Sequence, residues 1–105
     1  MSDLVTRLSL GEHPVEITMR SVITLNGLRD RIARGFLHVK FTGTRGGTEL
    51  GIRLDKTACK LDADFDRGTG RIHVVGTLTL DYEKVKCFAD IDLATFAGTG
   101  HLSPA

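Results

Sequence analysis

Four stretches between Phe36 and Leu93, "FLHVKF", "ELGIRL", "RIHVVGTLTL" and "VKCFADIDL", alternate apolar and polar side chains with a period of two. That is the side-chain period of an extended strand with one face in a core, and a helix cannot satisfy it. Pairing registers are then testable, because a slip of one residue turns every inner side chain outward. An even-length reversal at Asp81–Lys84 sets Leu78 against Cys87, Gly76 against Ala89 and Val74 against Ile91. The loop Gly43–Thr48 sets Val39 against Ile52, and a turn at Asp55–Ala58 sets Ile52 against Leu61.

The stretch "KLDADFD" has the same period, with Leu61, Ala63 and Phe65 alternating with Asp62, Asp64 and Asp66. Same-face neighbours on a strand are roughly 6.5 Å apart. Calcium needs oxygens converging at about 2.3 to 2.6 Å, and the places for the EF-hand glycine and glutamate hold Arg67 and His73. A strand is therefore predicted, reversing through Gly68-Thr69 as a two-residue turn or Arg67–Gly70 as a four-residue loop, either of which sets Phe65 against Ile72, Ala63 against Val74 and Leu61 against Gly76.

Upstream, Asn26-Gly27 is a hairpin signal between "VEITMRSVITL" and "LRDRIARGFLHVKF", with the change of phase absorbed by a bulge at Gly35. The competing pattern is a short helix over Leu28–Arg34 ended by Gly35; the bulged strand is the expectation. An N-terminal strand Leu4–Leu10 brings the count to seven, and the tail "AGTGHLSPA" has loop composition. The expected fold is all-β: a single-domain antiparallel meander over residues 1–105, forming a small closed or nearly closed β-barrel, with a two-sheet sandwich as the alternative.

With 14 basic and 13 acidic side chains, no bulk field favours a polyanion. Arg29, Arg31, Arg34 and Arg45 lack the interleaved aromatics that stack bases, so nucleic acid is an unlikely partner. No apolar run is long enough for a membrane helix, and Asp3, Arg7 and Glu12 interrupt any signal-peptide core, so a cytoplasmic location is expected. Cys59 and Cys87 form no C-x-x-C motif and sit on strands two apart, about 10 Å, too far for a disulfide or a shared zinc. No metal site and no cofactor is expected, and no nucleophile elbow, P-loop or dinucleotide fingerprint is present.

Two constellations carry chemistry in these registers. His73 falls between Asp64 and Asp92, an acid–histidine–acid row suited to proton transfer. Ala63, Gly76 and Ala89 meet on the inner face, leaving room for a pocket walled by Leu61, Val74, Leu78, Cys87 and Ile91. The expected function is binding of an apolar small molecule in the barrel interior, where shape alone permits a cofactor-independent cyclase or isomerase. The alternative is a non-catalytic interaction module, a homo-oligomer assembled through outward-facing Phe36, Val75 and Phe88.

Overall fold

A computed structural model describes residues 3–20 and 22–105. Six antiparallel strands close into a barrel in sequence order: β1 (His13–Thr18), β2 (Phe36–Phe41), β3 (Thr48–Leu54), β4 (Arg71–Leu80), β5 (Glu83–Asp92) and β6 (Ala97–Pro104). Two helices complete the fold, α1 (Asp3–Ser9) and α2 (Leu25–Arg34). The inner face of every strand is apolar, and Phe41, Ile17, Leu37, Ile52, Ile72 and Ile91 lose nearly all contact with water.

The all-β expectation holds for the barrel and fails for both segments that became helices. The expected strand Leu4–Leu10 is α1, because Val5 and Leu8 lie three apart and both are buried, against β6 and its neighbours. The expected bulged strand is α2. Thr24 caps its start by accepting the Gly27 N–H at 3.0 Å, and Gly35 ends it in the left-handed conformation at φ 81°. Leu28 and Ile32, four apart, turn one face into the core, worth about 1.5 to 3 kcal/mol each. Asn26-Gly27 sits inside the first helical turn, and Ser21, within the expected strand "VEITMRSVITL", lies outside the described residues. Thr24→Ala is expected to cost about 1 kcal/mol, read as a lower denaturant midpoint at unchanged slope.

The tail expected as loop is β6, which pairs with β5 along its whole length and with β1, closing the barrel. Its small residues are what closure requires. A Cβ at Gly100 would stand 2.6 Å from the Phe88 carbonyl oxygen, and one at Gly98 would collide with that of Asp90.

Every other register keeps the expected face but moves by two residues. Asp81 and Tyr82 alone form the β4–β5 turn, both at positive φ, so Gly76 faces Cys87, Val74 faces Ala89 and Ile72 faces Ile91. Likewise Val39 faces Leu50 and Ile17 faces Val39. The largest departure is "KLDADFD". Leu61, Ala63 and Phe65 do face the core and the three aspartates face water. The period of two comes here from successive tight turns, with Ala63 N–H donating to Leu61 O at 3.0 Å and Phe65 N–H to Ala63 O at 3.1 Å. The segment closes the barrel end beside α2, to which it is clasped by the Arg29–Asp66 ion pair and by Arg29 over the Phe65 ring.

Candidate functional site: the seam between β3 and β4

The acid–histidine–acid row does not assemble, because the registers moved. His73 donates from Nδ1 to Asp90 on β5 at 2.8 Å, and on its other side its backbone pairs with Lys60. Asp64 is turned back on its own loop, accepting from Arg67 N–H at 3.0 Å. Asp92 holds the β5–β6 turn by accepting from Ala94 N–H at 2.9 Å. His73 and Asp90 are both part-exposed, the setting in which a cross-strand pair serves the sheet.

The small residues expected around a void are also dispersed. Ala63 lies in the end-closing segment, Ala89 sits between Val74 and Gly100, and Gly76 sits between Leu54 and Cys87. The place of a side chain at Gly76 is taken: a Cβ there would stand 2.8 Å from Arg53 O and 3.0 Å from Ile52 Cβ. Val74, Cys87, Ala89 and Ile91 are buried in the packed interior, and Leu61 is half-buried at the closed end. Burial pushes the Cys87 thiol up to about 12, so it is held as a neutral, unreactive side chain. Of the outward apolar residues, Val75 and Phe88 are cross-strand partners on β4 and β5, and Phe36 lies apart on β2. Cys59 covers Val75, its sulfur accepting the Val75 N–H at 3.3 Å, while Phe88 stacks on His101 at 4.9 Å and Phe36 meets His38 edge-on.

Leu78 stands apart among the expected pocket residues. The β3–β4 ladder consists of two pairs, Arg53 with Thr77 and Leu54 with Gly76. Continued, it would bring Ile52 to Leu78 and Leu50 to Leu80, but the strands diverge. Further along β4 the 55–60 segment takes over, through Asp55 N–H to Val75 O at 2.8 Å and paired bonds between Lys60 and His73. Divergence leaves the inner-face side chains Leu78 and Leu80 half-exposed at the rim of the core.

The opening is a cleft of about 380 Å³, at the small end of ligand-site volumes. Its apolar floor is Leu78 with Val85 opposite, its polar wall comes from Thr77 and Thr79 of β4, Lys84 of β5 and Arg53 of β3, and Ala105 completes the lining, its N–H donating to Lys84 O at 3.1 Å. Among the described residues neither Arg53 nor Lys84 has an ion-pair partner. Asp55, beside Arg53 in sequence, is engaged elsewhere: the Thr57 hydroxyl donates to it at 2.6 Å and, as the main cause, holds its carboxyl below the usual range. Two cations without an ion-pair partner among the described residues, beside a half-exposed leucine, suit a ligand with an acidic head and an apolar body. Arg53, Thr77, Thr79 and Lys84 were not expected from the sequence, since their meeting depends on where the ladder stops.

No family model matches this sequence, and comparison with curated proteins finds no match. Among the described residues no helix is long and apolar enough to cross a membrane.

Proposed function

We propose that this barrel is a binding protein for a small anionic amphiphile, taken up at the β3–β4 seam. The acid group lies against Arg53 and Lys84, and the aliphatic part runs over Leu78 toward Leu80. The observation that carries this reading is the early end of the β3–β4 ladder, which opens apolar core side chains beside two cations that have no ion-pair partner among the described residues. The apolar ligand expected from the sequence is kept, and its place moves from the centre of the barrel to its wall. The reading stops at binding: cyclisation or isomerisation was expected of a void beside Gly76, and Ile52 stands in that place. Self-association through Phe36, Val75 and Phe88 is the weaker reading, because Val75 is buried and Phe88 is stacked on His101, which leaves Phe36 as the exposed member of the three.

Decanoate and decanol, titrated by calorimetry, test the proposal. Decanoate is expected to bind more tightly than decanol, and the Arg53→Glu, Lys84→Glu protein is expected to lose that difference. Leu78→Asp is expected to weaken both ligands by roughly tenfold, the worth of one apolar side-chain contact. Equal decanoate affinity in all three proteins would refute the seam as the binding site.

A further inference from the structure

A second cleft, of about 260 Å³, lies on the outer face of β1, β2 and β3 where α2 overhangs them. Its lining is Thr18, Met19, Arg20, Arg31, His38 and Glu49, none of which lines the seam. The strand residues arrive by register. Thr18 faces His38 across β1 and β2, and Glu49 is the residue of β3 two places before Gly51, the partner of His38. Gly51 lets the two rings of β2 lie over β3: a Cβ there would stand 3.0 Å from the Phe36 ring and 3.4 Å from His38 Nε2. Phe36 packs its edge against His38 at 5.0 Å between ring centres and fixes the tilt of the imidazole.

The arginines of α2 differ in their commitments. Arg29 is paired with Asp66 and Arg34 with Asp30, both on exposed surface. Arg31 is half-buried under the cleft wall, and among the described residues it has no ion-pair partner. A guanidinium taken partly out of water without an ion-pair partner loses hydration that no carboxylate among the described residues restores, and its fork of donors matches an oxyanion. Arg20 adds a second cation at the rim, and His38 adds a ring nitrogen without a hydrogen-bond partner among the described residues. Glu49 is the single carboxylate in the lining, and it is held by the Thr18 hydroxyl, which donates to its Oε1.

We infer that this cleft is a second ligand site, for a small molecule carrying an oxyanion and, a few atoms away, a hydrogen-bond donor. The oxyanion, phosphate or carboxylate, sits on Arg31 with Arg20 and His38, and the donor group sits on Glu49. The inference is independent of the seam, and either site can fail without the other.

The test is an NMR titration of the labelled full chain with inorganic phosphate, O-phosphoethanolamine, propionate and β-alanine, which separate phosphate from carboxylate and each from the added ammonium group. Saturable shifts are expected at Thr18, His38 and Glu49, with O-phosphoethanolamine or β-alanine binding more tightly than phosphate alone. Arg31→Ala is expected to weaken binding roughly tenfold or more, and Arg31→Lys, which keeps the charge and loses the fork, is expected to fall between. Glu49→Gln, which removes a like charge from the anion's surroundings, is expected to weaken the ammonium-bearing ligands and to hold or tighten phosphate. Arg31→Ala is a helix-surface change, and an unchanged melting curve confirms that it folds. Shifts that rise linearly without saturation, or equal affinity in wild type and a folded Arg31→Ala, would overturn the inference.

Discussion

Gly98→Ala is expected to remove about 3 kcal/mol of folding stability and to lower Tm by roughly 12 °C or more, a large effect for one methyl group. The added Cβ would run into the carbonyl oxygen of Asp90 on β5, a backbone atom that cannot rotate away as a side chain would. The strand that must shift is β6, whose pairing with β5 on one side and β1 on the other closes the barrel. Gly43→Ala is the control. Its Cβ would meet the Pro14 ring at 3.5 Å, an ordinary contact, and its melting curve is expected to stay within about 0.5 kcal/mol of wild type. Matching melts for the two variants would contradict the packing of β6 on β5.

Gly76→Leu separates two opposite pictures of the interior. If a void lay beside Gly76, a leucine would fill it and the denaturant midpoint would rise. The close approach of Arg53 O at 2.8 Å and Ile52 Cβ at 3.0 Å leaves no such room, so a loss of about 3 kcal/mol or more is expected. The damage is also expected to be local. Leu54–Gly76 is one of the two pairs in the β3–β4 ladder, so amide exchange is expected to accelerate first at Asp55, whose N–H crosses to Val75 O, and at Thr77, the partner of Arg53. A raised midpoint, with protection retained at those amides, would restore the central cavity.

How far the sequence could be read depends on what period two does and does not encode. It encodes faces. From Leu37 to Leu93 nearly every side chain expected inside is inside, and even Leu61, Ala63 and Phe65, which are not in a strand, face the core. It does not encode which residue faces which, because a shift of two keeps every face. The length of the turn decides that, and Asp81-Tyr82 reverses the chain in two residues at positive φ without the glycine that would have announced it. Both constellations read from the sequence rested on exact partners, which is why His73 found Asp90 in place of Asp92. The segment before Gly35 held two legible patterns, and the helix prevailed because Thr24 and Gly35 cap both ends while Leu28 and Ile32 share a face. β6 was obscured by its own packing requirement, since the residues that let backbones approach are those that read as loop. The seam had no signal at all: nothing local to β3 or β4 says where two strands part.

The most direct measurement at the seam is a set of intermolecular NOEs between bound decanoate and the methyl groups of the labelled protein. Cross-peaks from the decanoate chain to the methyls of Leu78 and Leu80 are the expected result, with none to the closed interior at Ile72 or Ile91. Cross-peaks to those interior methyls, or to no residue of the seam, would contradict it.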